Sequence, residues 1–345
     1  MRPRFDPPLP LLVTGVTGVA GYNAFRAFRR RYGEQVWAIR QQSNWRIDWP
    51  GVVACDAEDS EALNRLFDEY GFRGVLDCAG NCALKSCELD PTMAWRLNVE
   101  GPTRLAEIAA ARGIPLVRLS IDLVYSGTRG GGHVESDWTD PVTVYGKTMV
   151  EAEQVIAAID PTACILRISL PMGVSASGHA GAIDWIQSRF QQNKPATLYF
   201  DEIRTPAYTD CLNELYAAVF ARRLSGLYHA GGPRSLSLYR IAQIVNRVGG
   251  YDPNYLMGCP RSEAGPIPPR AGDVTMDSTR LAEALGFEPL DAWPGEERWV
   301  PSDDDWHRCR PADEPGSPEL LAQVLYVNAR RSAGGGESGE FAGEV

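Results

Sequence analysis

The sequence predicts an α/β protein built on a doubly wound parallel sheet, with a smaller lobe following it. Three observations carry that expectation. Apolar runs alternate with helical segments from Leu11 to about residue 170. A glycine-rich turn joins the first apolar run to the first helix. Past Pro171 and Gly173 the alternation gives way to Pro/Gly-rich loops. Short strands separated by helices read as βαβ crossovers, which pair in parallel and with right-handed connections.

Leu11–Thr14 reads as a short buried strand and Ala20–Arg31 as a helix closing in a basic cluster before Gly33. Val36–Arg40 and Val52–Cys55 are the second and third strands. Ser60–Tyr70 is helical because Leu63, Leu66 and Phe67 fall on one face. Gly74–Cys78 is the fourth strand. Pro91–Arg112 is a long helix, capped by Asp90 and opened by a proline at its first position. Leu116–Ser120 is the fifth strand, Tyr145–Ala158 a helix and Ala163–Ile168 the sixth strand. Further on, Leu238–Val248 is a helix with Ser237 as cap, and Pro318–Arg331 reads as one more. The pattern does not encode the order of the strands.

This gives a flexible leader (1–9), a dinucleotide-binding domain (10–170), a smaller substrate lobe that contacts it (171–300) and a C-terminal extension (301–345). Trp293, Trp299 and Trp306 are expected to pack the extension on the body. The end, Ala333–Glu340, lacks the apolar content to order itself.

The net charge of −10 argues against nucleic acid or an anionic membrane as partner, since neutralising phosphates needs a basic face. No apolar stretch approaches the roughly 20 residues of a membrane span, and Leu11–Val13 is too short for a signal-peptide core. A cytoplasmic location is expected. The eight cysteines form no Cys-x-x-Cys pair, so reduced, buried thiols are expected. Cys78, Cys82 and Cys87 lie close in sequence but have no second cluster to complete a tetrahedral metal site, and His133, His179, His229 and His307 are scattered.

The sharpest local signal is Thr14-Gly-Val-Thr-Gly-Val-Ala-Gly21, lying between the first strand and the first helix. One glycine allows the tight turn, one lets a pyrophosphate approach the backbone, and one lets helix and strand pack closely. The helix start supplies free amides and a partial positive charge. Gly15, Thr17, Gly18, Val19 and Gly21 are therefore candidate cofactor residues of a Rossmann domain. The second strand ends in Arg40-Gln41-Gln42 without a carboxylate, which favours NADP over NAD because Arg40 can pair with a 2′-phosphate. Asp56 is placed to accept from the adenine amino group, or to cap a turn.

Further motifs follow in order: Asp77-Cys-Ala-Gly80, Cys87-Glu-Leu-Asp-Pro91, Asn98-Val99, Ser120-Ile-Asp-Leu-Val-Tyr-Ser-Gly127, Tyr145-Gly-Lys-Thr148, Arg204-Thr-Pro206 with Asp210, and Pro269-Arg270 followed by Val274-Thr-Met-Asp277. Together they resemble the dTDP-4-dehydrorhamnose reductase branch of the extended short-chain dehydrogenases, over roughly residues 10–290. The resemblance implies reduction of a keto nucleotide sugar by NADPH. A tyrosine protonates the carbonyl oxygen, a lysine four residues later lowers its pKa, and a Ser or Thr after the fifth strand binds the carbonyl. It implies Tyr145 as the catalytic residue. Ala79, Gly80 and Tyr145 fall against the cofactor, and Asn98, Asp122, Arg204 and Arg270 fall on the substrate side. A homodimer follows by analogy.

Two of the three catalytic positions depart from the pattern. Met149 stands at the lysine position, and Lys147 lies about 200° from Tyr145 around a helix. Ile121 stands at the hydroxyl position, and the preceding Ser120 should face the other side of its strand. Three readings follow: a reductase with a reduced triad, a weakened NADP- or nucleotide-sugar-binding regulatory subunit, and a relative with different chemistry. The branch also contains the regulatory β subunit of methionine adenosyltransferase, which keeps the second reading open. The Gly130-Gly-Gly132 loop reads either as a flap near the substrate or as a plain turn.

Overall fold

The computed structural model of the chain describes residues 3–311 and 315–328. β1 (Leu11–Val13) is followed by α1 (Val19–Tyr32), β2 (Val36–Arg40), β3 (Val52–Ala54), α2 (Ser60–Tyr70), β4 (Gly74–Asp77) and α3 (Leu84–Leu89). Next come α4 (Pro91–Trp95), α5 (Gly101–Ala111), β5 (Leu116–Ile121), α6 (Val144–Ile159) and β6 (Cys164–Ile168). The later elements are β7 (Pro171–Met172), α7 (Ala182–Gln191), β8 (Ala196–Tyr199), β9 (Ile203–Arg204), β10 (Ala207–Tyr208), α8 (Thr209–Arg222) and β11 (Gly226–Ala230). After them come β12 (Leu236–Ser237), α9 (Leu238–Val248), β13 (Leu256–Cys259), α10 (Thr279–Leu285) and α11 (Pro318–Leu321).

Seven strands form one sheet in the order β11-β6-β5-β4-β1-β2-β3, and every pairing in it is parallel. The order reverses between β1 and β4, and the crevice beyond the strand ends at such a switch point is where open α/β sheets bind ligands. Both faces of the sheet are covered. One cluster joins Leu11, Val13, Phe25 and Phe28 to α8 through Leu212 and Leu215. The other joins Leu12, Val75 and Leu116 to Leu63, Leu105 and Ile156 of the opposite helices. β1 is fully buried on both faces, which is why it reads as an unbroken apolar run.

The predicted caps act as caps: the Asp90 carboxylate accepts from the Met93 amide, and Ser237 Oγ accepts from the Arg240 amide. The helix expected over Pro91–Arg112 is interrupted by a π-helical turn, Arg96–Glu100. Single π turns of this kind frequently mark functional sites. The expected Pro318 helix runs as α11 and a π turn to Tyr326. Residues 329–331 of that expectation, and Ala333–Glu340, lie outside the described residues.

The N-terminal segment is not loose over its described part. Asp6 accepts from Arg31 and from the Tyr32 hydroxyl, each at 2.5 Å, and Phe5 stacks on Phe287. The described part of the extension packs on the body. Trp293 Nε1 donates to the Leu325 carbonyl, the Tyr208 hydroxyl donates to the Val324 carbonyl, and Trp306 lies under the Arg247 guanidinium. The small lobe reaches the sheet domain through a bridge of His133 with Met276, and a bridge of Ile203 with Asp273 ties the lobe to itself. Among the described residues no helix is long and apolar enough to cross a membrane, and no group of three or more His, Cys, Asp or Glu side chains is placed to hold a metal ion. All eight cysteines are free; Cys55, Cys87, Cys164 and Cys211 are buried as expected, but Cys82 and Cys309 are exposed.

Candidate cofactor and catalytic site

The glycine turn sits at the switch point, where β1 ends and α1 begins. Gly15 has φ +67°, and a Cβ there would collide with the Cys78 carbonyl oxygen beyond β4. A Cβ on Gly21 would collide with Gly15 itself, so this glycine lets α1 sit against the turn. Gly18 is different: a Cβ there would meet only the Gly15 carbonyl oxygen, at 3.5 Å, so its outer side is open. No side chain caps α1 and its first turn has no acidic residue. The first amides of the helix, beside exposed Thr17, are therefore free to meet an anion, while Val19 is buried beneath them.

At the end of β2, Arg40 donates through Nη1 to the carbonyls of Gln41 and Gln42, while its Nε is buried without a partner among the described residues. Asp56 accepts the Gln42 amide at 2.8 Å, so one of its oxygens holds the loop after β2 in place. An orphaned guanidinium donor at the strand end and an open, uncapped helix start both fit a phosphorylated dinucleotide.

Beyond β4 the chain forms the second wall. Asp77 accepts from Thr14 Oγ1 at 2.5 Å and from the Ala79 amide at 3.1 Å, tying this wall to the glycine turn. Gly80 is exposed. Asn98, in the π turn, accepts the Asn81 amide at 2.6 Å and donates to Thr148 Oγ1 at 2.9 Å, which in turn donates to the Tyr145 carbonyl. Asn98 is fully buried, and each end of its carboxamide makes one of these bonds. It thus acts as a bracket between the wall and the tyrosine helix.

Tyr145 lies in the first turn of α6, whose Thr143 cap accepts from the Gly146 amide. Burial pushes the Tyr145 hydroxyl far above the ordinary tyrosine range. Cys82 and Asp122 add to that rise, and Arg118 and Arg204 oppose it. The hydroxyl is therefore a protonated donor at neutral pH. Met149, one turn further, is buried, as is Ile121 at the end of β5, while Lys147 is exposed on the outer face. Ser120 points into the layer beneath, donating to Glu153 Oε1, which also pairs with Arg167. Ser120 therefore does not supply the hydroxyl that Ile121 lacks.

Asp122 and Arg204 were expected to meet substrate. Both are buried, and they pair with each other through two bonds, the Nε bond being 2.6 Å long. Ser169 also donates to Asp122, and Glu202 links Arg204 to Arg270. Burial alone would lower the Arg204 pKa, but Asp122 and Glu202 raise it. The guanidinium stays charged and is already satisfied. Arg270 is the more open of the two arginines, lying over the Tyr199 ring while it binds Glu202. The Gly130–Gly132 loop is docked: Gly132 donates its amide to Thr275 Oγ1, and Gly131 has no room for a side chain against Asp273 and Thr275.

Sequence reasoning missed Arg118. It stands in the middle of β5 and is almost wholly buried, 2.8 Å from Asp77 Oδ2. The signal was present, since an arginine inside the apolar run Leu116-Val-Arg-Leu is a charge in a strand covered on both faces. Cys82, exposed on the loop beyond Gly80 and close enough to act on Tyr145, was missed as well.

A family model described as the RmlD substrate binding domain matches residues 9–296. The chain is 27% identical over 199 residues to a probable low-salt glycan biosynthesis reductase of Haloferax volcanii, spanning 57% of this chain and 66% of that protein. It is 28% identical over 243 residues to a dTDP-4-dehydrorhamnose reductase of Mycolicibacterium smegmatis, spanning 69% and 72% of the two chains. A solved dTDP-4-dehydrorhamnose reductase of Bacillus anthracis, in complex with NADP, superposes with a TM-score of 0.72 at 19% identity, over 84% of this chain and 97% of that one. At such identity the likeness establishes the fold.

Proposed function

Since the chain belongs to the RmlD substrate-binding domain family, we propose that it is a cytoplasmic, NADP(H)-dependent oxidoreductase that reduces a keto nucleotide sugar or similar carbonyl compound with an incomplete triad. The observation that carries this reading is a buried, protonated Tyr145 in the first turn of α6, a helix whose Met149 lies against Gly80 in the same wall that the glycine turn abuts at Cys78. The reductase relatives support it, as does the Bacillus anthracis reductase solved in complex with NADP.

In this reading the amides that begin α1, with Gly15, Thr17 and Gly18, hold the pyrophosphate, and Arg40 takes the 2′-phosphate that distinguishes NADP from NAD. Ala79 and Gly80 form the wall against the nicotinamide ribose. When bound, NADPH supplies the hydride that converts the keto carbon to a secondary alcohol. Tyr145 gives its proton to the carbonyl oxygen. Because Ile121 offers no hydrogen bond, the oxygen gets less electrophilic assistance than a hydroxyl there would supply, a loss on the order of 10²-fold. Arg270, at the edge of the small lobe, is the arginine of this group with exposure left for a diphosphate.

A regulatory subunit that holds NADP without turnover is the second reading, favoured by Ile121 and Met149. One experiment separates the two. The protein is titrated with NADPH and NADH by fluorescence, then mixed with NADPH and 4-keto nucleotide sugars while absorbance at the nicotinamide band is followed. Tight NADPH binding with turnover that Tyr145→Phe lowers by about 10²- to 10⁴-fold, far more than it weakens NADPH binding, is expected. Binding without turnover supports the regulatory reading, and the absence of binding removes both.

A further inference from the structure

The geometry points to Arg118 as the residue that does, from β5, the positioning work that a lysine at position 149 of the tyrosine helix would otherwise do. The inference rests on the reading above, in which Tyr145 acts beside a bound nicotinamide.

Met149 follows Tyr145 by four residues, so the two share one face of α6. Its Sδ lies 3.9 Å from Arg118 Nη2 and also 3.9 Å from the place a Cβ on Gly80 would take. The guanidinium therefore stands where an ammonium growing from position 149 would have to go. Apolar packing would select Leu or Val at position 118, as it does at Val117 and Leu119. A buried cation is tolerated only when it is paired and hydrogen-bonded.

Arg118 meets that condition through its two terminal nitrogens, which join four segments, while its buried Nε finds no partner among the described residues. Nη1 donates to Asp77 Oδ2 at the end of β4, at 2.8 Å, and to the Ala79 carbonyl in the following wall, at 2.6 Å. Nη2 reaches the Asn98 carbonyl of the π turn at 3.4 Å and touches Met149 on the tyrosine helix. Asp77 is held in addition by Thr14, directly before the glycine turn. One side chain thus fixes the floor of the nicotinamide half of the cleft and links it to the pyrophosphate half. Arg118 also opposes the rise that burial imposes on Tyr145.

A lysine at 149 would put a second cation against the first in a water-poor interior, where like charges repel strongly. Arginine at 118 and lysine at 149 exclude one another. An unbranched, polarisable methionine is the side chain that packs on the guanidinium without competing for its acceptors.

The test moves the cation from strand to helix. Wild type, Met149→Lys, Arg118→Met and the double variant Arg118→Met/Met149→Lys are compared by thermal unfolding, NADPH fluorescence titration and kcat against KM. Met149→Lys alone is expected to lower the melting temperature and to weaken NADPH binding. Arg118→Met is expected to weaken binding about tenfold or more, and the double variant to bind better than Arg118→Met. A merely structural arginine would let the double variant regain melting temperature without regaining NADPH affinity. Met149→Lys that tightens NADPH binding with no loss of stability overturns the inference, as does a double variant no better than Arg118→Met. If Arg118→Met does not fold, Met149→Lys alone decides. Wild type that binds no NADPH sinks the functional reading itself, whereas wild type that binds it with the wrong variant pattern sinks only the role of Arg118.

Discussion

At the scale of single residues, the chemistry turns on where buried groups keep their protons. Tyr145 loses its proton far less readily than a free tyrosine, first because of burial and then because of Cys82 and Asp122. A neutral donor suits reduction, where the carbonyl oxygen needs a proton, and is poorly suited to the reverse reaction, which needs a tyrosinate. The same burial raises Tyr208 and Tyr326 above the ordinary range, and Tyr216 well above it. Each of these hydroxyls holds its proton more tightly folded than unfolded. Their contribution to stability is fully present below the unfolded tyrosine value of about pH 10 and is lost as the pH climbs past it. Thermal unfolding measured between pH 7 and pH 11 should show a melting temperature that falls steeply only at the alkaline end. A fall centred near neutrality would contradict this account.

At the scale of elements, the tyrosine helix is held by its cap and by the π turn beside it. Thr143 is fully buried and its hydroxyl accepts the Gly146 amide, one residue beyond Tyr145. Thr143→Ala should cost about 1–2 kcal/mol of stability and, if Tyr145 acts as proposed, should also lower turnover, because the first turn carries that residue. Denaturant unfolding and steady-state kinetics on the same preparation check both parts. The elements themselves were largely legible in the sequence. β2, α2 and α9 fall where the periodicity put them, since each is a buried strand or an amphipathic helix with its own cap or stop. The π turn was not legible: the extra residue in the helix changes which side chains face the cleft without changing the apolar pattern that announces a helix. The two-residue strands β7, β9, β10 and β12 were equally hidden, because they exist only through the partner that each finds elsewhere in the chain.

At the scale of the whole molecule, the sheet domain and the small lobe share a buried ladder of charge, from Asp122 through Arg204 and Glu202 to Arg270. Burial raises the Glu202 pKa, and the two arginines oppose that rise. Removing the central cation leaves two carboxylates short of a partner. Arg204→Ala should therefore destabilise the fold by about 3–5 kcal/mol, measured by denaturant unfolding, while Arg270→Ala, at the exposed end, should cost much less. Equal costs would mean that the ladder does not act as one unit. The extension closes the molecule on another side: Trp293 and Tyr208 find their partners at Leu325 and Val324, and Asn328 reaches Asp210 and Asp291.

The sequence by itself determined the parallel sheet, the glycine turn and the place of Tyr145 at the start of a helix, because each depends on neighbours in the chain: apolar period, turn conformation and helix register. The resemblance also marked two departures from the reductase pattern, Met149 by its spacing from Tyr145 and Ile121 by its place after the fifth strand. Only the tertiary structure decided what stands in the vacated space. Arg118 lies 31 residues from Met149 along the chain, and Asp122 lies 82 residues from Arg204. No local pattern announces such pairings. They arise because the crossovers bring distant strand ends to one crevice, where a buried charge must find its partner or not be there at all.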